Sequence, residues 1–169
     1  MIVFMDRTRN TLPTAIRREA VAVLNGAVAE LFDLFARVKQ AHWNARGTTF
    51  IGLHKLLDEF AGRLMAHIDL AAERARALGG IVEGTLRESA KHSRLKKKEE
   101  PPSVSGISDW IQELASLHAA SGEHVRLGIR KLTESGDFAT ADLLTDILRT
   151  LDLQLWLLEA HLNRQETAT

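Results

Sequence analysis

Residues 14–43 read TAIRREAVAVLNGAVAELFDLFARVKQAHW, and this stretch decides the fold class. It contains no proline, and the strong helix formers Ala, Leu, Glu and Arg supply half of it. Leu24, Val28, Leu31, Phe35, Val38 and His42 recur at steps of four and three, which lines them along one face of a helix over 14–43. His42 takes the last place in that stripe, where a core residue is due. Asn44 to Thr49, with Arg46 and Gly47, reads as a short turn, and so short a link makes the next helix an antiparallel neighbour.

The pattern continues outward from this hairpin. Leu53, Leu57, Phe60, Leu64, Ile68, Ala71 and Ala75 define a second helix over about 49–78, stopped by Gly79 and Gly80. From 81 to 106 the periodicity lapses into a charged run, Arg94, Lys96, Lys97, Lys98, Glu99 and Glu100, followed by Pro101 and Pro102. This is a long crossover with room for a short helix. Asp109 and Gln112 read as a capping pair opening a third helix that runs to Ser135 and stops at Gly136. Leu144, Ile147, Leu151, Leu155, Leu158 and Leu162 then mark a fourth. Two hairpins joined by one long crossover predict an all-α, ferritin-like four-helix bundle. The bundle is expected over 14–165, behind a flexible N-terminal tail over 1–13.

A chain of 169 residues suits one domain. Lys plus Arg and Asp plus Glu both number 22, so the chain as a whole is no polycation, and nucleic-acid contact requires a local patch. With no cysteine there is no disulfide framework, zinc ribbon or thiol nucleophile, which fits a reducing compartment. Metal chemistry must therefore use His and carboxylates. The apolar start, Met1 to Met5, meets Asp6, Arg7 and Arg9 at once and lacks the form of a signal peptide. No apolar stretch approaches the roughly 20 residues of a membrane span. A cytoplasmic protein without membrane contact is expected.

The second helix carries His54, Asp58, Asp69 and Glu73. At about 100° per residue they fall near 0°, 40°, 60° and 100°, on one face beside the apolar stripe. Asp58 and Asp69 are nevertheless roughly 16 Å apart along the axis at about 1.5 Å per residue, too far for one coordination sphere. The two pairs are centred on the same point, between Arg63 and Leu64. Two copies of the helix crossing antiparallel there would bring His54 and Asp58 of one to Glu73 and Asp69 of the other, in two identical sites. Gly62, near the crossing, has no side chain to hold the helices apart, and His42 can lean toward the His54 end. Nitrogen and hard oxygen ligands without thiolate suit Fe(II), Mn(II) or Zn(II). Spacing alone leaves two readings open, this shared metal site and a solvated, salt-bridged helix face.

Lys39-Gln40-Ala41-His42-Trp43-Asn44, Gly47, Phe50, Leu53-His54, Leu57-Asp58-Glu59, Asp69, Ala72-Glu73-Arg74, Leu78-Gly79-Gly80 and Gly84-Thr85 together strongly resemble the Dps family, DNA-binding proteins from starved cells. The likeness covers nearly the whole chain and weakens in the crossover. It implies a mini-ferritin that assembles into a hollow dodecamer with ferroxidase sites at two-fold interfaces. His42, His54 and Asp58 would come from one subunit, Asp69 and Glu73 from its partner. The implied metal is iron: Fe(II) is oxidised, with hydrogen peroxide usually preferred over oxygen, and stored as ferric mineral, which protects DNA under oxidative stress and starvation. Ferritins and bacterioferritins with a di-iron centre inside each subunit use a Glu-x-x-His spacing, and none occurs here.

Other residues carry weaker readings. Asp137, Asp142 and Asp146 open the fourth helix, where acidic residues suit a helix N-terminus; by resemblance they would line an iron-entry pore, with Asp142 and Asp146 preferred. Trp43 either packs at the end of the first helix or, by resemblance, intercepts radicals beside the ferroxidase site. Arg7, Arg9, Arg17, Arg18, Lys96, Lys97 and Lys98 are the candidate contacts to non-specific DNA, although Glu99 and Glu100 partly cancel the lysine run. The competing functions are a non-enzymatic, DNA-compacting nucleoid protein of the same fold and a helical interaction module without metal chemistry. His67 points elsewhere on its helix, and His92, His118, His124 and His161 form no site-like spacing.

Overall fold

The computed structural model describes residues 5–95 and 107–162. Five helices follow in order, α1 (Thr14–Asn44), α2 (Phe50–Ala77), α3 (Leu86–His92), α4 (Ile107–Ser135) and α5 (Phe138–Leu162), with no strand among the described residues. α1 packs chiefly on α2 and α4 on α5, and α1 also touches α3 and α4. This is the expected pair of hairpins, and α3 is the short helix of the crossover.

The apolar stripes meet in one core. Leu24, Leu31, Leu34, Leu57, Leu64, Leu114, Leu144 and Leu151 are all at most 1% exposed, and each contributes about 1.5–3 kcal/mol by leaving water. Phe35 of the expected α1 stripe is only half buried, and Leu34 is fully enclosed in its place. α1 has helices on more than one side, so its buried arc is wider than a single stripe.

Two glycines end helices by the left-handed turn that side chains disfavour. Gly79 (φ +87°) follows α2, and Gly80 donates its N–H to Ala75 O at 2.9 Å. Gly136 (φ +84°) follows α4, and Asp137 N–H reaches back to Leu132 O at 2.9 Å. At Gly79 a side chain would also strike the Asp6 carbonyl, 2.7 Å from where a Cβ would stand.

That contact corrects the expected tail over 1–13. From Met5 onward the segment is anchored: Asp6 N–H donates to Gly79 O at 2.7 Å, the Asp6 carboxylate pairs with Arg76 at 2.9 Å, and Met5 and Leu12 pack on the core. Arg17 is corrected with it. Its side chain is 8% exposed and donates to Leu12 O, Leu78 O and Thr14 Oγ1, so it ties the segment to the end of α2 and has no free face for DNA. Asp109 also differs from expectation. α4 is already helical at Ile107, so Asp109 sits in the first turn and does not cap it.

In the crossover, Asn25 Nδ2 donates to Ile81 O at 2.9 Å, and the Thr85 hydroxyl caps α3 by accepting from Glu88 N–H at 3.2 Å. Lys96, Lys97 and Lys98 lie outside the described residues. No helix among the described residues is long and apolar enough to cross a membrane.

Candidate metal centre

The turn between α1 and α2 brings His42 and His54 together. Their rings stack with centroids 3.7 Å apart and planes 20° from parallel. His42 Nδ1–H donates to His54 O at 2.9 Å, and His54 Nδ1–H donates to His42 O at 3.0 Å. A carbonyl oxygen only accepts, so each Nδ1 carries a proton, and the lone pair that an imidazole offers a metal would be on Nε2. Both imidazoles are thereby oriented by backbone, as hydrogen-bond partners orient metal-ligating histidines. His42 is 8% exposed, and the Phe50 ring flanks His54 at 5.0 Å.

Asp58 lies one turn beyond His54 and is exposed. Lys39 Nζ donates to its Oδ1 at 2.8 Å. That hydrogen bond, with the Lys39 charge, holds the Asp58 carboxyl below its ordinary pKa, and the nearby His42 and His54 act in the same direction. Asp58 therefore stays anionic into acid. In the sequence Lys39 figures only within the family motif, without a role of its own; the structure connects it to a carboxylate nineteen positions away.

Asp69 and Glu73 are exposed on the same arc of α2, and neither makes a side-chain hydrogen bond or ion pair among the described residues. The chain thus gathers His42, His54 and Asp58 at one end of α2 and leaves Asp69 and Glu73 at the other. Between them the surface is apolar and open. Met65, about 20° around the helix from His54, is 39% exposed in that interval, and Ile51, about 60° around, is 61% exposed just before His54. A Cβ on Gly62 would meet nothing within 4 Å.

The acidic start of α5 separates into two kinds of residue. Asp137 is 1% exposed and fully engaged: Arg74 Nη2 donates to its carboxylate at 2.9 Å, Thr140 N–H at 3.1 Å, and the Thr140 hydroxyl as well. It is the N-cap of α5, and the pore assignment for Asp137 is corrected accordingly. Asp142 and Asp146 are exposed, and Asp146 pairs with Arg149 at 3.0 Å. Trp43 is 71% exposed, with Lys39 Nζ 5.9 Å from its ring centroid, so it does not pack into the end of the bundle. Arg7, Arg9 and Arg18 are exposed.

Of the histidines that lacked a site-like spacing, His118 and His124 have partners on distant elements, while His92 and His161 have local ones. His118 is fully buried between Leu114 O and Gln154. His124 meets the buried Glu30 carboxylate at 2.5 Å, and Arg94 reaches the same carboxylate at 2.8 Å. His92 faces Glu83 and Glu88. Only the last had a sequence signal, the four-residue step from Glu88 to His92.

Comparison with known proteins places the fold. Residues 21–168 match the ferritin-like domain family. A DNA protection during starvation protein of Agrobacterium fabrum is 38% identical over 94% of this chain and 97% of its own length. The chain belongs to the Dps family of ferritin-like proteins. Among solved structures, DpsC from Streptomyces coelicolor superposes with a TM-score of 0.88 at 31% identity, over 94% of this chain and 91% of that one. Dps from Microbacterium arborescens, in a high iron form, gives 0.82 at 29% identity over 94% and 99%. The resemblance read from the His42 to Glu73 motifs thus holds over the length of the chain.

Proposed function

We propose that this Dps-family chain is an iron-oxidising, iron-storing mini-ferritin whose ferroxidase centre is shared between two copies. The observation that supports it best is the mutual capping of His42 and His54, which leaves two Nε2 lone pairs beside the Asp58 carboxylate. A second copy of α2, antiparallel across Gly62 and Met65, supplies Asp69 and Glu73 and covers the exposed Ile51 and Met65. Repeated through further contacts, such dimers close into the hollow dodecamer expected of the family.

Iron is the substrate. Two Fe(II) ions each give one electron to hydrogen peroxide, the O–O bond breaks, and two protons complete two waters as two Fe(III) ions form. The chain's part is to hold ions of rising charge. Carboxylates at Asp58, Asp69 and Glu73 offset that charge, while the imidazoles fix position through their capped Nδ1 atoms. Lys39 keeps Asp58 ionised until a cation replaces it as partner. Taking up Fe(II) and peroxide together protects DNA indirectly, by limiting radical formation in the cytoplasm. Direct DNA contact rests on Arg7, Arg9 and Arg18. Asp142 and Asp146 are the proposed residues of an iron-entry pore, and Trp43, exposed two residues after Ala41 on the histidine turn, the proposed radical trap.

An anaerobic Fe(II) titration of the sized oligomer, followed by peroxide, tests the reading. Saturable binding and rapid Fe(III) absorbance at about two Fe(II) per peroxide, as the electron balance requires, are expected for the native chain. Asp58→Ala should impair the rapid phase and leave the helical content intact. Rates no faster than buffer in the native protein would overturn the proposal.

A further inference from the structure

Away from the α2 face, Glu83 in the crossover and Glu88 and His92 on α3 converge. Their ligand atoms all lie within 4.8 Å of one another, the one such grouping of three His and carboxylate side chains among the described residues. His92 Nε2 lies 3.3 Å from Glu88 Oε2 and 3.8 Å from Glu83 Oε2. Around an ion with bonds of about 2.0–2.2 Å, tetrahedral ligands stand roughly 3.3–3.5 Å apart. The spacing of these atoms is already close to that of a coordination sphere.

An ordinary ion pair accounts for only part of this. Nε2 carries at most one proton and can donate to one carboxylate, so the other, at 3.8 Å and 36% exposed, is left to solvent or to a cation. Lys91 stands 4.0 Å from Glu88 Oε2 but is 70% exposed, and it does not reach Glu83 in any ion pair. A cation between the three groups satisfies both carboxylates and the nitrogen at once. The group also borders open space. Glu83 and His92 line a cavity of about 420 Å³ at the α1 and α4 surfaces, with Asn25, Arg94 and His124 on its wall. Water can therefore reach the ion and complete its coordination.

We propose that Glu83, Glu88 and His92 form a second divalent-cation site, on the crossover and within one chain, that takes a first-row transition-metal ion of the Zn(II) and Fe(II) class. One nitrogen and two carboxylate oxygens without thiolate select that class over Cu(I), and the imidazole favours it over Ca(II) or Mg(II). The site does not depend on the ferroxidase reading, because it needs neither a second copy nor oxidation.

The test measures Co(II) and Zn(II) bound per chain by equilibrium dialysis of the metal-stripped, assembled protein. In an Asp58→Asn, Asp69→Asn, Glu73→Gln, His54→Gln background, which removes the carboxylates and one imidazole of the α2 face, about one ion per chain should remain. Adding Glu88→Gln and His92→Gln should weaken that binding about tenfold or more. Glu83→Gln in place of those two changes only the crossover residue, leaves α3 untouched, and should weaken it as well. A parallel anaerobic Fe(II) arm compares iron with zinc at the same site. Loss of all Co(II) and Zn(II) binding in the fourfold background overturns the proposal, as does equal binding by the Glu88→Gln, His92→Gln and Glu83→Gln derivatives. A failure of peroxide oxidation in the native protein, with crossover binding intact, would count against the ferroxidase reading alone.

Discussion

The face of α2 and the crossover group hold the same kinds of side chain in opposite arrangements. On the crossover, two glutamates and a histidine meet within 4.8 Å in a single chain. On α2, imidazoles and one aspartate stand at one end of a helix, two further carboxylates stand at the other, and exposed apolar residues lie between. The first is gathered within one chain; the second is, in the proposed pairing, half of a shared site. On that proposal the difference teaches that a ligand set can be encoded along a helix axis and closed by symmetry, with an exposed apolar strip as the means of closure.

The largest expected effect breaks that contrast. Met65→Arg places a charge in the middle of the α2 strip and should reduce peroxide-dependent Fe(II) oxidation about 100-fold by misplacing the partner ligands, while Co(II) binding at the crossover persists. Stopped-flow absorbance and light scattering check it; full oxidation by a protein that no longer pairs would end the shared-site idea. Next, Asp69→Ala with Glu73→Ala should slow oxidation about tenfold or more, and His42→Ala less, since it removes one ligand where the pair removes two. Equal losses would mean that the two ends of α2 do not contribute as a pair and a single.

Asp137→Ala sharpens the comparison from the other side, because that carboxylate is spent on structure. Removing the N-cap and the Arg74 partner should cost about 2–4 kcal/mol, read as a lower urea midpoint, with unchanged Fe(II) binding in the folded protein. Two smaller effects depend on pH. Lys39→Met should let the Asp58 pKa rise toward the ordinary value, so the acid limb of the oxidation profile moves to higher pH; an unmoved limb would separate Lys39 from the site. Burial lowers the pKa of His118 and His67 below the ordinary 6.5. The unfolded chain then binds more protons than the folded one, so stability holds above about pH 6.5 and declines as pH falls below it. Urea midpoints at pH 7.5 and 5.5 measure this, and His67→Gln should flatten the decline.

Periodicity made the helices legible. The stripes of α1, α2 and α5 and the stops at Gly79 and Gly136 follow from local pattern and backbone chemistry, whereas α3 lies where the periodicity lapses. The exposed arc of Asp58, Asp69 and Glu73 on α2 was legible for the same reason, since a helix converts spacing into direction. What local pattern misses is partnership across the fold. Asp137 and Asp142 look alike in sequence, yet one is enclosed by Arg74 and the other is exposed. Arg17 resembles Arg18 until the end of α2 claims it. Lys39 and Glu83 acquire their roles from residues on other elements, which no helical period records.

The reciprocal bonds between His42 and His54 carry a further consequence. Each ring is held by the peptide carbonyl of the residue that bears the other, so the two imidazoles cannot loosen separately from the junction of α1 and α2. Fraying of that junction and loss of the ligand geometry are one local unfolding event. An ion bound through both Nε2 atoms therefore acts as a clasp on the hairpin, and it should slow amide hydrogen exchange around residues 42–54 well before it alters exchange in α4.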